Sequence, residues 1–272
     1  MPKSTRYVAK TPDARGFIAY DAAEDAVWRD LVARQLPAVR AHMARPYLDG
    51  LERLGLPRDR VPQCPEVSAA LEPLTGWRVE PVPALIPFGR FFAMLAARVF
   101  PAASFIRSRE DFDYIEEPDI FHELFGHAPL LTDPRFAAFS QAIGETGLRA
   151  APEDYAWLIR LYWFSIEFGL TEEGGRIRAL GSGLASSVAE LAWAVGAGQG
   201  APAPRRRPFD VIDMLRTPYR IDIPQPLYFV IGDLDALFAA ARRDLLADIR
   251  EARRLGLHPP LFPARDGSGR AA

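Results

Sequence analysis

Between Glu153 and Leu170 the chain reads EDYAWLIRLYWFSIEFGL. At helical periodicity this run is apolar on nearly every side, so a helix built from it has no face to give to water and must be wrapped by the rest of the fold. Nowhere do about 18 apolar residues follow one another, as a membrane span requires. The run is therefore expected as a helix of a globular domain, stopping at Gly174-Gly175. A chain of 272 residues, 49% of them hydrophobic, has the material to enclose it.

The enclosing segments also read mainly as helices. EDAVWRDLVARQL begins a long amphipathic segment interrupted by Pro37, and RFFAMLAARVF (90–100) reads as an apolar helix ending before Pro101. Asp133 and Pro134 supply a cap and a first-turn proline for RFAAFSQAIGE, LASSVAELAWAV forms a further helix, and DLDALFAAARRDLLADIREARRL is one amphipathic helix capped by Asp233. Strand-like runs are few: 77–82, 104–108 and 226–231. These elements predict a mainly α single domain with a small β-sheet over 17–262, flanked by flexible tails at 1–16 and 263–272. The stretch GAGQGAPAPRRRP (196–208), with its cluster Arg205 to Arg207, reads as an exposed loop.

A net charge of −2 offers no footprint for nucleic acid or an anionic membrane. A single cysteine, Cys64, excludes an internal disulfide and leaves histidines and carboxylates as the ligands of any metal site. The N-terminus lacks the apolar core of a secretion signal, so the expected location is the cytoplasm.

Two of the four histidines, His122 and His127, fall within EPDIFHELFGHAPLL (117–131). Positions five apart diverge by about 140° on a continuous α-helix, whereas the four-residue step of a zinc-protease H-E-x-x-H diverges by about 40°. The pair can share a metal only if the second histidine is turned back, and Gly126 is the residue expected to end the helix and allow that turn. His42 and His258 have no such company and read as ordinary histidines.

Glu167 sits among Tyr162, Trp163, Phe164, Ile166, Phe168 and Leu170. An ionised carboxylate there requires a partner, and no cation stands at helical spacing from it. An arginine from another segment would serve, as would a metal held by His122 and His127. Two imidazoles and one carboxylate form the facial set of non-haem Fe(II) oxygenases, but hydrolytic zinc sites use the same ligands, so ligand counting leaves the metal open.

Longer stretches carry a resemblance. EPDIFHELFGHAPLLTDPRFAAFSQAIGE, RLYWFSIEFGL, ALGSGLASSVAEL and IPQPLYFVI, together with LERLGLPRDRVP, TGWRVEPVPALIP and DYIEEPD, resemble the catalytic domain of the pterin-dependent aromatic amino acid hydroxylases, in order and with matching spacing from about residue 20 to 240. The likeness is greatest to the short bacterial members that act on phenylalanine. It implies a mainly helical catalytic domain holding one Fe(II) through His122, His127 and Glu167. It also implies a reaction in which O2 and tetrahydrobiopterin, or a related tetrahydropterin, convert L-phenylalanine to L-tyrosine. Carried over by position, the resemblance gives Phe91 as the ring stacking on the pterin, Ile86 as its backbone partner and Glu123 as a carboxylate facing it. Arg107 becomes the clamp on the substrate carboxylate, Pro118, Trp163 and Gly183 line the substrate pocket, and Ser186 supports the histidine side of the site.

Residue types alone allow plainer roles: Phe91 and Trp163 as core aromatics, Arg107 as a surface charge, and Ser187 with Glu190 as a capping box. The chain departs from animal relatives at Ile115, Ala84 and Phe88, where they carry threonine, glycine and serine. It also lacks room for their regulatory domain and tetramerisation tail, so a monomer is expected. Two alternatives remain: hydroxylation of tryptophan or tyrosine by the same chemistry, and a zinc hydrolase built on His-Glu-x-x-x-His.

Overall fold

The computed structural model describes residues 7–115, 117–196 and 204–262. The first helix, α1 (Ala22–His42), opens on a capping box in which Asp21 accepts from the Glu24 amide and the Glu24 carboxylate accepts from the Asp21 amide. Pro37 does not interrupt it. Both Pro37 and Ala33, whose carbonyl loses its usual donor, are exposed, so water serves that carbonyl. Helices α2 (Arg45–Leu54) and α3 (Cys64–Thr75) follow, each closed by a glycine in the left-handed region, Gly55 and Gly76.

The expected helix over 90–100 is α4 (Phe88–Ala96), ending earlier than the sequence suggests. Arg98, at φ 58°, reverses the chain into a strand over Val99–Ala103 that contains Pro101. This strand, β2, pairs in parallel with β1 (Arg78–Val82), Glu80 opposite Pro101, and a two-stranded sheet has only edges, where proline is tolerated. Residues 104–108, expected as a strand, lie outside any sheet and are buried as far as Arg107, and Phe105 accepts the Ile120 amide at 2.8 Å.

Asp133 caps α5 (Pro134–Arg149) by accepting from the Arg135 amide, as expected. α5 lies directly on α4: a Cβ on Gly144 would stand 2.3 Å from the Ala96 nitrogen, and one on Gly147 would stand 2.1 Å from Phe92 Cγ. The central apolar run forms α6 (Tyr155–Tyr162) and a π turn over Trp163–Glu167. Leu158, Leu161, Phe164 and Ile166 are buried, but Ala156 is exposed and Tyr155, Trp157 and Ile159 are half-buried, so the run is enclosed mainly over its second half and α6 keeps an outer face. It ends at Gly169, not at the glycine pair. Gly174 and Gly175, at φ 58° and 72°, instead form the tight turn between β3 (Leu170–Glu173) and β4 (Arg176–Ala179).

LASSVAELAWAV divides into α7 (Ser182–Ala185) and α8 (Val188–Val195), because Ser187 leaves the helix to cap the second piece. The arginine cluster expected as a loop is a strand, β5 (Arg205–Pro208), while 197–203 of that stretch lie outside the described residues. α9 (Val211–Arg216) precedes β6 (Leu227–Ile231), and a four-stranded sheet forms in the order β4-β3-β6-β5. The expected closing helix is two, α10 (Leu234–Ala241) and α11 (Leu245–Leu255), with Asp233 and Asp244 capping one each. The fold is thus mainly helical, with two small sheets in place of one.

The expected tail 1–16 is described from Tyr7 onward, and there it lies against the body. Tyr7 stacks on Phe105 at 4.6 Å and accepts from the Ser108 amide, and Lys10 pairs with Glu24. No helix among the described residues is long and apolar enough to cross a membrane.

Candidate metal centre

The histidine pair comes together by a route the sequence reading did not anticipate. The helix does not stop before His127. Residues His122–His127 wind as a π turn, in which the Ala128 amide donates to Glu123 O at 3.3 Å, five residues back. In such winding each carbonyl is joined to the amide five residues on, so two residues five apart return toward one side. Gly126 serves a different purpose from the one expected: a Cβ on it would stand 2.8 Å from the Ser182 carbonyl oxygen, so glycine lets α7 approach the turn.

The segment carrying Glu167 is wound the same way, with the Phe168 amide donating to Trp163 O at 2.9 Å. The two π turns face one another. His122 Nε2 and His127 Nε2 are 3.0 Å apart, His127 Nε2 is 3.0 Å from Glu167 Oε1, and His122 Nε2 is 3.7 Å from Glu167 Oε2. Donors bound at right angles about 2.1 Å from one ion lie about 3.0 Å from each other. These side chains therefore fit a metal on one face, with its remaining positions open.

Electrostatics agree with that fit. Burial by itself would raise the Glu167 pKa, but the charge and hydrogen bond of His127, then His122 and Ser182, bring it down to about 2. Burial lowers His122 to about 4, keeping the ring neutral and its lone pair available. Glu123 also lies within 4.8 Å of both histidines, making a second possible carboxylate donor. Burial, then Glu167 and Asp119, push its pKa well upward, whereas that of Glu167 is brought down.

Ser186 Oγ stands 2.9 Å from His122 Nδ1 and within 3.3 Å of the Ser182 and Gly183 carbonyl oxygens. Its proton goes to a carbonyl, so the oxygen accepts Nδ1–H and Nε2 is left bare toward the metal. Ser186→Ala is expected to weaken Fe(II) binding about 10- to 100-fold, measured by anaerobic titration. Gly183 lies directly beside the acid, since a Cβ there would be 3.1 Å from Glu167 Oε2.

Arg107 is buried, not a surface charge. Its Nε and Nη2 donate to the two oxygens of Asp119 at 2.8 and 2.9 Å, and Asp119 Oδ1 also accepts the His122 amide at 3.1 Å. Asp119 thus ties the arginine to the first histidine, a link the sequence reading missed. Its signal was an aspartate three residues before His122, the spacing of a helix cap.

Phe91 is half-buried and packs edge-on to Tyr162 at 5.4 Å, and Tyr162 in turn stacks near His127 at 6.3 Å. Trp163 stacks on Tyr219 at 4.3 Å, donates to Gln225 Oε1 at 3.2 Å and leans on Phe168, the ring beside Gly183. Ile86 lies half-buried just before α4, and Pro118 half-buried just before Asp119. Ile115 packs with Ala84 and Phe105 in a small apolar cluster touched by Tyr7, while Phe88 is 50% exposed. Ser187 does cap its helix, but the Glu190 carboxylate turns instead to the Gln225 amide and Tyr228 hydroxyl. His42 ends α1 and His258 pairs with Asp213, both as ordinary histidines. A concavity of about 500 Å³ lies apart from this centre, in a groove between α1 and α2.

A profile of the family described as biopterin-dependent aromatic amino acid hydroxylase matches residues 5–247. The chain belongs to that family. Among its relatives is a phenylalanine-4-hydroxylase of Pseudomonas aeruginosa, 49% identical over 98% of this chain and 100% of the relative. The apo structure of the cold-active phenylalanine hydroxylase of Colwellia psychrerythraea superposes with a TM-score of 0.90 at 45% identity, covering 94% of this chain and 98% of that one. A Chromobacterium violaceum phenylalanine hydroxylase structure with bound oxidized Fe(III) matches at 36% identity and a TM-score of 0.84, covering 94% of each chain.

Proposed function

We propose that this protein is a phenylalanine 4-monooxygenase, hydroxylating L-phenylalanine at C4 to L-tyrosine with O2 and a tetrahydropterin at an Fe(II) held by His122, His127 and Glu167. The observation that carries this reading is the convergence of two imidazole Nε2 atoms and an ionised carboxylate within 3.0 to 3.7 Å. Family membership and the phenylalanine-4-hydroxylase relatives supply the substrate, and the iron-bound relative supports the metal.

The iron, when bound, supplies the activation of dioxygen; the chain's residues bind and orient. Arg107 is the proposed clamp for the substrate carboxylate. Asp119 occupies its Nε–H and one Nη2–H, leaving three of five N–H donors for a ligand. A guanidinium held on one edge presents the other in a fixed plane, which suits bidentate recognition of a carboxylate. Phe91 offers a ring face for the pterin, Ile86 a backbone partner, and Glu123 a carboxyl group facing it. Pro118, Trp163 and Gly183 form the wall for the aromatic substrate, and Ser186 fixes the His122 tautomer. The proposed catalytic domain spans 17–262, acting as a cytoplasmic monomer, in keeping with the free, buried Cys64.

The test is anaerobic Fe(II) loading followed by O2, a tetrahydropterin and phenylalanine, tryptophan and tyrosine in competition, with products identified. Tyrosine formed from phenylalanine is the expected result. Turnover of tryptophan with no product from phenylalanine overturns the substrate, and activity retained with zinc alone overturns the oxygenase reading. Light scattering at the 30.2 kDa chain mass checks the monomer.

A further inference from the structure

One face of α2 points inward, carrying Tyr47, Gly50 and Leu54. These positions are three and four apart, so they form a single stripe, and the stripe lies on the metal turn and the residues just after it. A Cβ on Gly50 would stand 2.0 Å from the Pro129 carbonyl oxygen and 2.9 Å from Thr132 Oγ1, so the helix backbone rests directly on that segment. Tyr47 is fully buried, and its hydroxyl donates to the Phe125 carbonyl at 2.5 Å.

The need for that hydroxyl is written in the sequence. A helical carbonyl accepts from the amide four residues on in α winding, or five on in π winding. Four residues after Phe125 stands Pro129, which has no N–H, and five on stands Leu130, already in the 3₁₀ turn Leu130–Thr132. Phe125 is 2% exposed, so water does not replace the missing donor, and a buried carbonyl without one is costly. The turn that carries Glu167 is served in the same manner: Ser165 Oγ donates to Leu161 O, and Ser182 Oγ donates to Ile166 O at 2.9 Å.

We infer that Tyr47 is a positioning residue of the metal centre, its hydroxyl holding the Phe125 carbonyl and so the π winding that brings His127 beside His122. The inference rests on reading His122, His127 and Glu167 as metal ligands. Without the hydroxyl, the peptide between the two histidines tilts in search of a donor, and the imidazole pair spreads.

The experiment compares full-length wild type, Tyr47→Phe and Thr217→Val. The last removes another buried hydroxyl, which donates to Asp213 O at 2.7 Å, away from the metal turns. Each is titrated anaerobically with Fe(II) and with Co(II), whose absorption spectrum reports coordination, and the metal-free Tm is recorded. Both variants are expected to melt a few degrees lower, and Tyr47→Phe alone to lose at least tenfold in metal affinity, with an altered Co(II) spectrum. Affinity within twofold of wild type overturns the inference, as does an equal loss in Thr217→Val. A Tyr47→Phe protein that does not fold also overturns it, because the hydroxyl would then be serving the whole fold. Wild type that binds neither metal refutes the metal centre itself and takes the inference with it.

Discussion

Glu167→Ala is expected to lower Fe(II) affinity by more than about a hundredfold and to remove turnover. Loss of a residue that merely orients a ligand costs about 10- to 100-fold in affinity, and Glu167 is itself a proposed ligand. It is also the one carboxylate of the three proposed donors, with a pKa of about 2 in the metal-free protein, so its removal leaves two imidazoles and no anionic donor to hold a dication. Glu167→Gln should fare little better, since an amide keeps the volume and loses the charge. Iron retained after gel filtration and tyrosine formed from phenylalanine are the two readouts. The result also decides between carboxylates. Should Glu123→Gln strip the iron while Glu167→Ala retains it, the ligand set is His122, Glu123 and His127, the other cluster this geometry allows.

Glu167 was legible as a candidate in the sequence for a physical reason: an acid among six apolar neighbours demands a partner, and no cation stands at helical spacing from it. The histidine pair was legible too, although its geometry was not. Helical reasoning assumes 100° per residue, and under that assumption the five-residue step required a break, assigned to Gly126. The structure keeps the helix and changes its winding, once at His122–His127 and again at Trp163–Glu167. No residue type marks a π turn, because what stabilises it comes from elsewhere: the Tyr47 hydroxyl, Ser182, and the close approach that Gly126 permits. The misplaced strand has a similar origin. Val99–Ala103 follows an apolar helix with a single polar residue, Arg98, between them, and short apolar runs carry no period that separates strand from helix. Only the backbone reversal at Arg98, invisible in composition, separates the two.

Asp119→Ala should be the most destabilising single change near the centre, by about 3 to 5 kcal/mol, because removing one member of a buried ion pair strands the other. Arg107 is 5% exposed and Asp119 fully buried, so water cannot replace the lost carboxylate. At roughly 2 to 4 °C per kcal/mol for a chain of this order of size, the melting temperature falls by about 6 to 20 °C. The sign of the pH dependence follows from the same pair. Burial would raise the Asp119 pKa, but Arg107, by charge and hydrogen bonds, and the His122 amide hold it below its ordinary 3.8. A carboxyl with a depressed folded pKa contributes stability that is fully present above the unfolded value and is lost as pH falls through the folded one. Wild type should therefore lose stability below about pH 4 more steeply than Asp119→Ala, in which this carboxyl no longer titrates. A second substitution separates stranded charge from lost packing. Arg107→Met added to Asp119→Ala should recover part of the melting temperature, because removing both charges costs less than removing one. Substrate affinity should stay lost in that double variant, since the proposed carboxylate clamp is gone. Recovery of stability without recovery of phenylalanine binding is the outcome that assigns Arg107 to the substrate and Asp119 to holding Arg107 in place.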